Sequence, residues 1–243
     1  MTLEFSDTTV RYRRHNDPAL VGINLSVDVG RTVLLGPNGA GKSTLLSVAA
    51  SVLQPTSGTV AVDGLSPHGS RDRRTYRSLI GWMPQRIESA PGLSVRQQVA
   101  LSGWLMGMDR PSAWEASAEL LARFGLADML DRRSNQLSGG QRARMGLAQA
   151  VVHNPQVLLL DEPTASLDPD QKDVFVQVLR ELGEDRTILV STHDVGELST
   201  SYDRVIVINH GKLLHHSDVS SFLELGGESA NPVEAYRAVM VAP

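Results

Sequence analysis

The chain has 243 residues, 41% of them hydrophobic, which suits one domain with an ordinary core and room for an inserted subdomain. A formal net charge of −4 gives no electrostatic case for nucleic-acid binding, and with no cysteine there are neither disulfides nor thiol chemistry. No apolar run approaches the ~20 residues a membrane helix needs, and Met1–Phe5 lacks the basic and apolar regions of a signal peptide, so the chain is expected to be cytosolic and soluble by itself.

Up to about Gly30, apolar and polar residues alternate in short runs such as Leu25-Ser26-Val27-Asp28-Val29, the period of half-buried antiparallel strands. Val33-Leu34-Leu35 then reads as a buried strand. It is followed by Gly36-Pro37-Asn38-Gly39-Ala40-Gly41-Lys42-Ser43, a complete G-x-x-x-x-G-K-S phosphate loop, and by a helix opening at Thr44-Leu45-Leu46. The residue types fit the chemistry. Gly36, Gly39 and Gly41 let the backbone curl so that N–H groups point at phosphate oxygens. Lys42 supplies a point charge for the β- and γ-phosphates, and the Ser43 hydroxyl is suited to ligate Mg²⁺. The whole loop from Gly36 through Pro37, Asn38, Ala40 and Thr44 is therefore expected against a nucleoside triphosphate.

Thr59–Gly64 continues the alternating pattern and ends in a turn. Arg71, Arg73, Arg74 and Arg77 cluster next, but Asp72 interrupts them, and a solvated face is the reading taken. Ile80-Gly81-Trp82-Met83 is a further strand, leading into Pro84-Gln85. From about Ser94 to Arg133 the spacing turns helical, through Val95, Val99, Trp104-Leu105, Trp114, Leu120-Leu121 and Phe124. Leu137-Ser138-Gly139-Gly140-Gln141 follows. Ser138 is a good N-cap for an amphipathic helix, and a helix N-terminus preceded by two glycines is a second phosphate-seeking surface. Val157–Leu160 is a fully apolar strand ending in Asp161-Glu162, and buried parallel strands carry functional residues at their C-terminal ends. Asp161 there can hold Mg²⁺ through its water shell, and Glu162 can orient and deprotonate an attacking water. Thr187–Val190 is another apolar strand, entering Ser191-Thr192-His193-Asp194. Val205–Asn209 and Lys212–His216 read as a hairpin, and Val233–Met240 as a short amphipathic helix. His215 and His216 are adjacent, so they point to opposite faces of a strand and make a poor metal pair.

With these motifs in this order the chain resembles the nucleotide-binding domain of ATP-binding cassette proteins. Leu137–Gln141 matches that family's signature, and the likeness spans roughly Leu3 to Lys212. It implies an α/β P-loop NTPase core with a mixed, largely parallel sheet, an N-terminal antiparallel β subdomain, and a helical subdomain of about 94–133 inserted into one domain of 1–243. It also implies roles for residues whose local sequence is mute. Tyr12 would stack on adenine, and Gln85 would sense Mg²⁺ and the attacking water. Asp168, in Ala165-Ser166-Leu167-Asp168, would couple two sites across an interface, and His193 would contact the γ-phosphate. Lys42, Gln85, Glu162 and His193 form the implied catalytic set. Ser138, Gly139, Gly140 and Gln141 would meet the ATP held by the partner's phosphate loop, so the implied state is a head-to-tail dimer, of this chain or with a related subunit, glued by ATP and Mg²⁺.

The implied use is transport, with separate integral membrane permease subunits docking beside the Gln85 loop and the helical subdomain at the cytoplasmic face of a bacterial membrane. Trp104, Leu105, Met106, Met108 and Trp114 are expected mostly to fill that subdomain's core, with one or two left for the dock. The runs Gly92–Gln98, Gly103–Met108 and Glu234-Ala235-Tyr236 resemble bacterial export cassettes. An importer subunit for a small solute and a soluble cassette of the iron–sulfur assembly type stand as alternatives. Gln149 departs from the arginine of many relatives, and no loss of function is read into it.

Overall fold

The computed structural model describes residues 1–13, 17–165, 167–182, 185–198, 202–227 and 230–241. Ser166, part of the run ending at Asp168, lies outside the described residues. Strands β1 (Leu3–Val10), β2 (Leu20–Val27) and β4 (Ser57–Val62) form an antiparallel sheet in the order β2-β1-β4. In β1 burial alternates along much of the strand, as its sequence period requires. The second sheet has the order β5-β6-β7-β3-β8-β9, built from β3 (Gly30–Leu35), β5 (Ile80–Met83), β6 (Val157–Asp161), β7 (Thr187–Thr192), β8 (Arg204–Asn209) and β9 (Lys212–Asp218). All its pairs are parallel except β8–β9, the hairpin at its edge.

Both faces of this sheet are covered, which is why its strands are continuous apolar runs rather than alternating ones. Leu34, Leu159, Leu189 and Ile206 face the antiparallel sheet and α1 (Lys42–Ala49), sharing a core with Phe5, Ile23 and Val60. Their neighbours Val33, Leu35, Leu158, Leu160 and Val190 face the other way, into a core shared with α5 (Gly139–Val151) and α6 (Pro169–Leu182). Helix α2 (Ser70–Ser78) carries the arginine cluster. It is polar except for Tyr76, which is fully buried and donates its hydroxyl to the Ala49 carbonyl at 2.6 Å. Arg71 and Arg74 are exposed, whereas Arg77 reaches back to the Ser51 carbonyl at 2.6 Å.

Helices α3 (Val95–Leu105) and α4 (Arg110–Arg123) form the helical subdomain between β5 and α5. Each opens on a side-chain cap, Ser94 with a reciprocal Gln97 for α3 and Asp109 for α4. The expectation that its aromatic and aliphatic run fills a core is overturned. Trp104, Leu105, Met106 and Trp114 are 46%, 66%, 37% and 41% exposed, and of that run only Met108 packs against the core. Two short helices bury one stripe each, and Val95, Val99, Ala113 and Leu121 already occupy it. Helices α7 (Val219–Glu224) and α8 (Pro232–Val241) close the chain. Among the described residues no helix is long and apolar enough to cross a membrane.

Candidate nucleotide site

The phosphate loop lies where β3 hands over to α1. Gly41 is the N-cap of α1 with φ 108°, and no side chain caps the helix, so its first N–H groups are left for a ligand. A side chain at Gly41 would sit 2.7 Å from the Ala19 carbonyl oxygen, and one at Gly36 would sit 2.4 Å from that of Ile208. These glycines are required by the close approach of the hairpin and of the β1–β2 connection. The loop is tied to that hairpin by Gly211 N–H donating to the Ala40 carbonyl at 2.9 Å.

A cleft of about 620 Å³ opens above the loop, lined by Asn38 to Thr44 together with Tyr12, Gln85 and Glu162. Gly36 and Pro37 do not line it. Their carbonyls instead accept from the Lys42 ammonium at 2.8 and 3.2 Å, bracing the lysine beneath the loop. Lys42 is 5% exposed, and burial pushes its pKa below the ordinary lysine value, opposed by the nearby Glu162 and Asp161 carboxylates. Tyr12 forms one wall, with its hydroxyl 3.2 Å from the Thr44 hydroxyl. Asp17, Pro18 and Ala19 complete that wall. No sequence motif marks them; only the approach of Ala19 to Gly41 reveals their place.

Glu162 is the hub. Its Oε2 accepts from Gln85 Nε2 at 3.1 Å and lies 3.5 Å from His193 Nδ1, while its Oε1 lies 3.6 Å from Lys42 Nζ. The other three residues of the expected catalytic set thus converge on this carboxylate. Glu162 has φ 47°, a left-handed conformation that non-glycine residues seldom adopt. Its N–H donates to the Ser191 hydroxyl at 3.0 Å, and that hydroxyl donates to Asp161 Oδ1 at 2.6 Å. Ser191, fully buried on β7, therefore holds both carboxylate residues. In the sequence Ser191 stands only as context for His193. The register that sets Asp161 opposite Ser191 was not readable from either segment alone.

Asp161 is 3% exposed, and Ser43 is exposed at the cleft. Among the described residues no cluster of three His, Cys, Asp or Glu side chains is placed to hold a metal alone. The donors at hand are a hydroxyl (Ser43), an amide oxygen (Gln85) and carboxylates (Asp161 and Glu162), all hard oxygens. They are few, as suits Mg²⁺ completing its shell with phosphate and water.

The signature residues stand apart from this cleft. Ser138 is the N-cap of α5, accepting from Gln141 N–H at 3.3 Å while Gln141 Oε1 accepts from Ser138 N–H at 3.0 Å. Neither they, Gly139, Gly140 nor Asp168 line the cleft. Asp168 accepts from Gln171 N–H at 2.9 Å at the start of α6. Gln149 proves to be part of a half-buried polar link: it donates to Ser102 Oγ at 3.0 Å and accepts from Gln98 at 3.3 Å. Gln98 in turn pins Glu88 and Ala90 of the segment after Gln85, at 2.8 and 2.9 Å.

A phosphate loop after a central parallel strand, a buried lysine, and adjacent carboxylates ending the next strand but one define a P-loop nucleoside triphosphatase. Residues 20–165 match the family model described as ABC transporter. The chain is 37% identical over 201 residues to the lipoprotein-releasing system ATP-binding protein LolD 1 of Rhodospirillum rubrum, covering 80% of this chain and 88% of that protein. It is 36% identical over 213 residues to the phosphonates import ATP-binding protein PhnC 2 of a Synechococcus strain, covering 82% and 79%. The dimeric post-hydrolysis structure of the ATP-binding cassette MJ0796 bound to ADP and Pi superposes with a TM-score of 0.81 at 27% identity, covering 89% of this chain and 98% of that one. The chain belongs to the ABC transporter family, and it is an ATP-binding cassette ATPase.

Proposed function

We propose that this chain is the ATP-hydrolysing subunit of a transporter whose pathway is supplied by separate membrane subunits, and that it works in export as a peripheral protein of the cytoplasmic membrane face. The convergence of Gln85, His193 and Lys42 on Glu162 beside the nucleotide cleft supports the hydrolytic part of this reading. The cassette is one domain, 1–243, with 94–133 as its inserted subdomain.

In this mechanism the N–H groups of Asn38 to Thr44 and the Lys42 ammonium hold the ATP phosphates, and Tyr12 packs on the adenine. Mg²⁺, when bound, neutralises charge developing on the phosphates; Ser43 and Gln85, with Asp161 through water, would hold it. Glu162 accepts the proton of the attacking water, and the Gln85 amide fixes that carboxylate's orientation. His193 donates to the γ-phosphate from beside Glu162.

Ser138, Gly139, Gly140 and Gln141 lie outside the cleft in the same chain, which supports their use on the partner's ATP in a head-to-tail dimer, with Asp168 at the shared interface. ATP bridges the two chains, and hydrolysis removes the contact that favours the closed pair. The export direction rests on the export-like runs and on the lipoprotein-releasing relative. The phosphonates import relative favours the second reading, an importer subunit. The test is co-purification with a multi-span membrane protein, followed by MgATP hydrolysis and substrate flux in vesicles of defined orientation. ATP-driven movement away from the cassette side supports export, movement toward it supports the importer, and a soluble partner alone overturns transport.

A further inference from the structure

The helical subdomain carries a surface that the nucleotide chemistry does not use. On α3, Gln97, Ala100, Leu101 and Trp104 recur at helical spacing, and Ala113 and Trp114 face them from α4. Together with Leu93 and Arg110 they line a groove of about 510 Å³ whose surface is mostly carbon. It lies on the opposite side of α3 from Ser102 and Met106, which face the Gln85 segment. Trp104 and Trp114 are 46% and 41% exposed, so two large indoles stand in water at the groove's walls. Each carries a guanidinium: Arg96 lies 4.0 Å from the Trp114 ring centroid and Arg110 lies 5.6 Å from that of Trp104. Arg96 also donates to the Trp114 carbonyl at 3.0 Å, which fixes its place. Neither arginine makes an ion pair with a carboxylate among the described residues, and no carboxylate lines the groove.

We propose that this groove is a docking site for an amphipathic helix of a partner protein, one that lays an apolar stripe between α3 and α4 and sets carboxylates against Arg96 and Arg110. Two neighbouring helices with a carbon-lined furrow between them present the geometry that a third helix fills. The charge pattern selects the partner: Asp109 is turned to capping its own helix, and two rim cations that make no ion pair among the described residues attract a helix with Asp or Glu beside its apolar stripe and disfavour a basic one. The concave shape favours an inserted side chain over a flat membrane surface. Trp and Arg are also the residue types that dominate binding energy at protein interfaces. The inference does not depend on the direction of transport, nor on transport itself.

The test titrates the full chain by calorimetry with a helical peptide of about five turns, built from Leu, Ala and Glu so that Glu flanks a Leu stripe. The second probe is the same peptide with Lys in place of Glu, and the third is phosphatidylcholine vesicles containing phosphatidylglycerol. The acidic peptide is expected to bind and the basic one not. The double variant Arg96→Gln/Arg110→Gln is expected to weaken binding about tenfold or more, with circular dichroism and basal MgATP hydrolysis unchanged. Trp104→Ala is expected to weaken it independently of charge. Equal binding of both peptides, no binding, binding insensitive to the arginine changes, or binding of vesicles but not of the acidic peptide overturns the proposal. So does a concentration-dependent self-association that Trp104→Ala abolishes, because the groove would then be filled by a second copy of this chain. Loss of hydrolysis in the wild-type protein would instead count against the proposed function and leave the docking result readable.

Discussion

Glu162→Gln removes one negative charge and one proton acceptor while preserving shape. In the structure Glu162 Oε2 accepts from Gln85 at 3.1 Å and Oε1 faces Lys42 Nζ at 3.6 Å. A glutamine preserves the shape of the side chain and can keep an oxygen toward Lys42. General-base catalysis contributes ~10²–10⁴ in rate, or about 2.7–5.4 kcal/mol of barrier at 1.36 kcal/mol per tenfold. Turnover should fall by that factor. ATP affinity should hold or rise, because a carboxylate that repels the γ-phosphate is gone; at ~4 Å such repulsion is worth from about 1 kcal/mol in water to about 4 kcal/mol at an effective dielectric of 20. The assay pairs phosphate release with equilibrium binding of a fluorescent ATP analogue, and size exclusion with MgATP should reveal a trapped dimer. Near-normal hydrolysis, or loss of ATP binding in step with loss of turnover, would refute the assignment of Glu162 as the base.

Three further outcomes follow from particular contacts. Ser191→Ala removes a buried hydroxyl that serves Asp161 and Glu162 together; it should cost ~1–3 kcal/mol of stability, read as a melting shift of roughly 2–4 °C per kcal/mol, with turnover falling more than ATP affinity. Unchanged turnover would show that the clamp is only structural. Ser138→Arg and Lys42→Ala should each abolish the ATP-induced dimer alone, while a mixture of the two forms some heterodimer, because one composite site collects both lesions and the other is whole; dimers from either variant alone would sink the composite-site reading. Asp218, capping α7, has its carboxyl pKa lowered to about 2 by the Ser220 hydroxyl and the Ser221 N–H and hydroxyl. A depressed folded-state value means its stabilising contribution is complete above the ordinary carboxylate value and lost as pH falls toward 2; an NMR titration with an unshifted midpoint would contradict it.

The parts of the site that were legible in the sequence are those confined to one turn of chain. The phosphate loop, the Ser138 cap with Gln141, and the strand delivering Asp161 and Glu162 each carry their geometry within a few residues, so residue type and spacing suffice. Gln85 and His193 were placed only by motif order, and the sheet explains why: their positions depend on which strands are neighbours. Ser191 was missed for the same reason, since its partner at Asp161 is set by the β6–β7 register. The exposure of Trp104 and Trp114 is not legible in the sequence, because periodicity reports which residues share a face but not whether anything covers that face. Helix α2 left almost no apolar signal to read, with Tyr76 its one buried residue.

The strand order β5-β6-β7-β3 explains why a single carboxylate meets three partners drawn from distant segments. Parallel strands end on the same edge, so Gln85 leaves β5, Glu162 leaves β6, His193 leaves β7 and the phosphate loop leaves β3 side by side. Glu162 must then turn sharply to reach both Lys42 on one side and Gln85 on the other, and its φ of 47° is that turn. Such a conformation costs of order 1–3 kcal/mol and persists only where surrounding contacts determine it. Here the Ser191 hydroxyl, itself anchored on Asp161, takes the Glu162 N–H and holds the turn in place. The Glu162 backbone turn and the Asp161 carboxylate thus share one residue, Ser191, whose hydroxyl meets both. Because the same strand delivers His193 two residues on, a displacement of β7 would be felt at Asp161, at Glu162 and at His193 together rather than at one of them.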